Sequence, residues 1–243
     1  MATVPSLELS EAVLRPIRGH HAFEGCVEQL GTAIRLGVFA SGSRLPPERD
    51  LAERMGVSRA TLREAMAALR AAGFVTTRRG RGGGTVVSYR PTAPSTGTAS
   101  ALEPRSAELR DTLAYRRIIE PGACHLAAGR ELTWQQREFL VQAHDEVAVA
   151  GDPAEHRQAD SRFHLSIAAV TESSLTVRAV TMVQADLHDM LSAIPVLEVN
   201  IEHSNRQHST IVGAILDGDA AKARRVMESH CDDTAALLRG LLG

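Results

Sequence analysis

Residues 90–105, RPTAPSTGTASALEPR, constrain the fold more than any other stretch of the chain. Pro, Ser, Thr, Ala and Gly dominate it and no apolar period runs through it, so it can join no core and reads as an interdomain linker. The 243 residues therefore organise as an N-terminal unit (1–89), a linker (90–104) and a C-terminal unit (105–243). Cutting the chain after residue 90 separates a formal charge of +5 from one of −7, where the whole chain carries only −2. The N-terminal part suits a polyanion and the remainder does not. All 13 cations of the first part are arginine, and Lys222 is the only lysine of the chain. Arginine suits bidentate contact with phosphate and guanine, although a GC-rich coding bias produces the same replacement.

With 44% hydrophobic residues, each part can bury a core. No run reaches the eighteen or so apolar residues of a membrane span, and MATVPSLELSEAVLRP lacks a basic-then-apolar signal pattern, so a soluble, cytoplasmic protein with no membrane partner is expected. Cys26, Cys124 and Cys231 form no CxxC pair and read as reduced, buried thiols.

Before the linker the order is helix, helix, helix, hairpin. Phe23, Val27, Leu30 and Ile34 fall at helical spacing and Gly37 stops them. ERDLAERM is a short helix ended by Gly56, and Ser58 can cap RATLREAMAALRAA, whose stripe is Leu62, Ala65, Met66 and Leu69. Phe74–Thr77 and Thr85–Val87 are β-prone runs around a loop of Gly and Arg. A short helix, a tight turn at MGVS and a second helix make a helix-turn-helix, in which Arg59 and Arg63, one turn apart, point outward towards a major groove. The glycines around Arg78, Arg79 and Arg81 let that backbone lie close to phosphates or a minor groove, as a wing would.

Residues 23–87, AIRLGVFASGSRLPPERDLAERMGVSRATLREAMAALRAAGFVTTRRGRGGGTVV included, resemble the winged-helix domain of the GntR family of bacterial transcription regulators. The resemblance implies DNA contacts at Arg49, Ser58, Arg59, Thr61 and Arg63, and a wing tip at Arg79, Gly80 and Arg81 with Gly80 at the minor groove. Pro47 departs from the family, where many members have a capping serine; proline is tolerated in a first helical turn, so a hydroxyl contact is lost but the fold is not.

After the linker the pattern is helical throughout. Thr133 with Gln136 forms a capping box, Gly151-Asp152-Pro153 supplies a stop, a cap and a first-turn proline, and Gly218-Asp219 separates two long helices. Six or seven helices are predicted, near 105–129, 133–150, 153–171, 174–193, 198–216 and 219–241, as an antiparallel bundle. The fold class is thus mainly α, a winged helix-turn-helix followed by an all-α bundle.

ADSRFHLSIA, 159–168, places Asp160 and His164 on a helix that also buries Phe163, Ile167 and Ala168. His208 lies on a stripe with Ile211, Val212 and Ile215, and His230 lies with Val226, Met227 and Leu237. One such histidine is ordinarily a hydrogen-bonded core residue. Three, with a carboxylate that would be costly to bury unpaired, point to a shared cation held by Asp160, His164, His208 and His230. Three imidazoles and one carboxylate suit a divalent transition metal, zinc first, then Ni, Co, Fe or Mn, rather than Ca or Mg. His20, His21, His125, His144, His156, His188 and His203 share no such placement and read as ordinary surface or core histidines.

DSRFHLSI, NRQHSTIVGAILDGDAAKA and MESH also resemble the FCD ligand-binding domain of the FadR-like branch of GntR regulators, over roughly 105–241. The resemblance implies sensing of a small carboxylate beside the metal, with Arg116 of YRRIIEPGACHLAA facing the effector; Arg117 is the less favoured neighbour, and Asn205, one turn before His208, is a further polar contact. Gln207 stands where many members have glutamate, which bears on the surroundings of His208.

The expected function is that of a metabolite-responsive regulator, not an enzyme: a homodimeric repressor on palindromic double-stranded operator DNA, relieved by a carboxylate effector. Two rivals stay open. The histidines could bind the effector without metal, or the site could be a metalloenzyme fused to a DNA reader, with Glu202 or Asp233 as the nearest candidate bases.

Overall fold

The computed structural model describes residues 8–17, 21–78, 80, 83–90, 106–191 and 198–242. Contacts divide them into two compact units, one within Glu8–Pro91 and one within Thr92–Gly243.

The first unit is a winged helix-turn-helix. Helix α1 (Leu9–Val13) is followed by α2 (Ala22–Arg35), α3 (Glu48–Met55) and α4 (Arg59–Ala71). Helix α1 has no counterpart in the sequence reading, because five residues carry no full apolar period. It is held to α3 by Arg54, which donates to Ser10 Oγ and Glu11 Oε1 at 3.1 Å each. Gly56, at φ +64°, ends α3 in the left-handed conformation, where any side chain would be strained. Ser58 then caps α4: its Oγ accepts from Thr61 N at 3.0 Å. Pro47 occupies the N-cap of α3, immediately before the first helical turn, so its missing N–H removes no hydrogen bond. Strands β1 (Val75–Arg78) and β2 (Gly84–Val87) pair antiparallel with Val75 opposite Val87 and Arg78 opposite Gly84. Buried Leu30, Ile34, Leu51, Met55, Leu62, Met66, Leu69 and Val75 form the core of this unit.

The second unit contains, among the described residues, six helices: α5 (Ser106–Ala128), α6 (Trp134–Val149), α7 (Pro153–Val170), α8 (Ser174–Leu191), α9 (Glu198–Leu216) and α10 (Ala220–Leu242). Their bounds fall within two residues of those predicted, because the punctuation acts as expected. Thr133 and Gln136 complete the capping box that opens α6. Asp152 Oδ1 accepts from the amides of Ala154 and Glu155 at 2.8 and 2.9 Å, with Pro153 at the first helical position of α7. Gly218, at φ +76°, and Asp219, which accepts from Lys222 N at 2.9 Å, divide α9 from α10.

Helix α7 is buried almost all round, from His156 to Val170, and so runs through the middle of its unit with α6 and α8 against it. Helix α5 packs on α10, α8 and α7, and α9 packs on α10 and α6. Leu109, Leu113, Val183, Leu187, Met190, Ala235 and Leu238 form the apolar cluster at one end.

Candidate metal centre and nucleic-acid interface

A helix buried almost all round leaves most of its polar residues little access to water. His164, on the central helix α7, is 1% exposed at its side chain, and His208 on α9 and His230 on α10 are equally closed off from water. Each of the three offers a ring nitrogen within 4.8 Å of the others'. An ion with bonds of about 2.1 Å bridges nitrogens up to about 4.2 Å apart, so small ring rotations suffice for coordination. Asp160, one turn before His164, has Oδ2 3.8 Å from His164 Nε2 and Oδ1 3.6 Å from His208 Nε2. It keeps 23% of its side chain exposed, so it lines the rim of the cluster and not its floor, and its desolvation is milder than expected for the buried face.

The residues fit a metal on three further observations. His208 Nδ1 is buried with no hydrogen-bond partner among the described residues. Burial, and then its neighbours His164 and Arg116, hold the His208 imidazole well below the usual histidine range. Burial and then His208 and Arg116 do the same for His230. A neutral imidazole carries a lone pair that can ligate a metal ion. Third, the tautomer of His230 is fixed from outside: Asp233 Oδ2 accepts from Gln207 Nε2 at 2.7 Å, which turns Gln207 Oε1 towards His230 Nδ1 at 3.1 Å. That oxygen only accepts, so Nδ1 carries the proton and Nε2 faces the cluster with its lone pair. Gln207, the departure from the resembling family, thus serves His230 and not His208.

Glu120, on α5, was missed by sequence reasoning. It is 2% exposed and its Oε2 lies 3.1 Å from His164 Nδ1, within ion-pair range but without hydrogen-bond geometry. It also accepts from Arg116 Nε at 2.8 Å and Gln184 Nε2 at 2.6 Å. Burial would raise this carboxyl, but Arg116 and His164 more than reverse that and hold it below the usual carboxylate range. The signal was present: Arg116 and Glu120 are four apart on a helix, the spacing of an ion pair, beside Ala123, Cys124 and Ala127 on its buried face. Burial also pushes the nearby Cys231 thiol up to about 12, so it stays protonated.

Of the two residues assigned to an effector, Arg116 reaches the cluster, with Nη2 3.0 Å from His230 Nε2 and 3.4 Å from His164 Nε2. Asn205 Oδ1 is buried with no hydrogen-bond partner among the described residues. Arg117 turns away, to Asp232 at 2.8 Å and Glu228 at 3.3 Å. Glu202 is 78% exposed beside Arg206, and Asp233 is committed to His203 and Gln207, so neither faces the cluster as a base. Among the histidines set aside, His203 is exposed and bonded to Asp233, His144 bonds Ser209, and His125 and His21 are exposed. His156 and His188 are buried, and His20 lies outside the described residues.

In the first unit, Arg59 and Arg63 are exposed on one side of α4 while Leu62, Met66 and Leu69 are buried on the other. Arg63 stands 3.6 Å from Glu48, and Arg49 donates to Asp50 at 3.0 Å; both arginines stay largely exposed. The Ser58 and Thr61 hydroxyls are 2.8 Å apart at the cap of α4, so they serve the helix as well as any contact made there. Gly80 is exposed at φ +103°, with nothing within 4 Å of where a Cβ would lie. Arg79 and Arg81 lie outside the described residues. No helix among the described residues is long and apolar enough to cross a membrane.

Comparison with known proteins matches residues 24–87 to bacterial regulatory proteins of the gntR family and residues 111–233 to the FCD domain. The chain is 32% identical over 213 residues to RmpR of Mycobacterium gastri, covering 85% of this chain and 76% of that protein. It is 32% identical over 211 residues to a protein of Escherichia coli K12 named for regulating an L-lactate dehydrogenase operon (78% and 76%). It is 29% identical over 224 residues to the Glc operon transcriptional activator of the same strain (85% of each). Among solved structures, E. coli McbR/YncC superposes with a TM-score of 0.54 at 18% identity, over 93% of this chain and all of that one, which shows a shared fold.

Proposed function

The chain belongs to the gntR family of bacterial regulatory proteins and carries an FCD domain, and from this we propose that it is a homodimeric repressor sensing a small carboxylate at a divalent-metal site. The observation that carries the proposal is the convergence of Asp160, His164 and His208, with His230, on one point of the FCD unit. His164, His208 and His230 would hold the ion, with Asp160 as a fourth ligand at the rim. The donor set favours zinc, with Ni, Co, Fe or Mn as alternatives. When bound, the ion supplies positive charge with coordination positions open to a carboxylate oxygen.

This chain's own residues do the rest. Glu120 places a carboxylate beside His164, Gln207 aims His230, and Arg116 supplies donors that match a carboxylate. Asn205 offers an acceptor to a hydroxyl of the effector, and a relative named for an L-lactate dehydrogenase operon makes a hydroxy acid a sensible first probe. The enzyme reading loses ground, because Glu120, the one buried carboxylate beside the histidines among the described residues, already accepts from Arg116 and Gln184 and is held ionised.

On the DNA side, Arg49, Ser58, Arg59, Thr61 and Arg63 would contact one half-site in the major groove, with Arg79, Gly80 and Arg81 at the adjacent minor groove. A second copy would engage the other half of a palindrome. The working parts are 1–89 for DNA, 90–104 as linker and 105–243 for effector and dimerisation, in a cytoplasmic protein. Fluorescence anisotropy with the chain's own upstream DNA tests the function. Specific binding weakened by a small hydroxy acid in the presence of zinc is expected. No binding to that DNA, or release that needs neither acid nor metal, would count against it.

A further inference from the structure

Arg116 stands where a cation shared by the histidines has to be accommodated. Its Nη2 lies 3.0 Å from His230 Nε2 and 3.4 Å from His164 Nε2, while its Nε donates to Glu120 Oε2 at 2.8 Å. A guanidinium has only donors, so each contact with a neutral imidazole uses the lone pair of that Nε2. An imidazole nitrogen has a single lone pair, which takes one hydrogen or one metal ion, never both. Gln207 accepts from His230 Nδ1 and so directs the Nε2 lone pair of that ring inward. Arg116 thus takes the lone pair best prepared for an ion and reaches that of His164 Nε2 beside it.

We propose that Arg116 is a built-in stand-in for the metal: its guanidinium holds His164 and His230 in the metal-free protein and must release both, pivoting on Glu120, before an ion can bind. The inference rests on the metal reading above and adds its regulation. Arg116 is 2% exposed, so the Nη donors it withdraws from the rings cannot turn to bulk water and instead seek an anion. Metal loading thus creates the docking group for a carboxylate. A carboxylate that engages those donors removes the metal's competitor, and the two ligands tighten one another by the same factor.

The test is calorimetric titration of Zn²⁺ into chelator-stripped, full-length protein, comparing wild type with Arg116→Met. That variant removes the competing donors and keeps the Glu120 carboxylate beside His164. We expect it to bind Zn²⁺ about tenfold more tightly or better, roughly the worth of one hydrogen bond to a charged group. Equal or weaker binding with unchanged helical circular dichroism overturns the exclusion while leaving the metal reading standing. Wild type that takes up no Zn²⁺ overturns both. Should the variant fail to fold, crystals of stripped and zinc-loaded wild type decide: the guanidinium on the imidazoles without zinc and beyond hydrogen-bond distance with it is expected. A loaded site with Arg116 still on His230 overturns the inference.

Discussion

At the residue scale, position relative to a helix face decides what each polar group does. Arg59 and Arg63 are outward and exposed on α4, whereas Arg54 is turned into α1. Arg59→Ala is therefore expected to weaken operator binding by about 1–3 kcal/mol at fixed salt, measured by anisotropy titration. Binding unchanged from wild type would remove Arg59 from the interface. Gly56 carries a different constraint. Its φ of +64° is a conformation that a side chain disfavours, and a Cβ there would lie 3.3 Å from Pro16. Gly56→Ala should cost about 1–2 kcal/mol of unfolding free energy; a denaturation midpoint equal to wild type would show that the turn between α3 and α4 tolerates the substitution. The quartet of Asp160, His164, His208 and His230 was legible because a polar residue among apolar neighbours at helical spacing is conspicuous. Glu120 was harder to read, because it sits in RRIIEPG between an arginine pair and a proline, where an acidic residue reads as ordinary solvated charge and only its spacing of four from Arg116 hints at burial.

At the scale of elements, caps and glycines carried most of the information. Thr133, Asp152, Gly218 and Asp219 act through hydrogen bonds and backbone geometry confined to a few residues, so their effect can be read locally. Removing the Asp152 cap by Asp152→Ala is expected to lower stability by about 0.5–2 kcal/mol. Chemical denaturation followed by circular dichroism would show it, and no loss of stability would mean that packing alone fixes the start of α7. Helix α1 was not legible, since five residues are too few to display a period and its hold on α3 comes from Arg54, 43 or 44 positions away. The all-round burial of α7 was equally hidden, because which neighbours cover a helix is decided by the path of the whole chain. That burial is what turns Asp160 and His164 from a pair on one stripe into part of a central cluster.

At the scale of the whole molecule, the formal charge of +5 on the first part and −7 on the second suits only the first to a polyanion. Operator affinity should fall steeply with added salt, because the arginines of the first unit displace counterions condensed on the DNA phosphates. A flat salt dependence would argue that those cations do not meet phosphate. The metal reading belongs to the second unit alone, so His208→Ala should empty the site while the winged-helix unit stays folded. The most direct measurement is elemental analysis by inductively coupled plasma mass spectrometry, on tag-free wild type and His208→Ala purified side by side. The account predicts close to one transition-metal ion for each wild-type chain and a marked loss in the variant at unchanged helical content. Wild type that purifies and reconstitutes without metal, or a variant that retains a full complement, would contradict it.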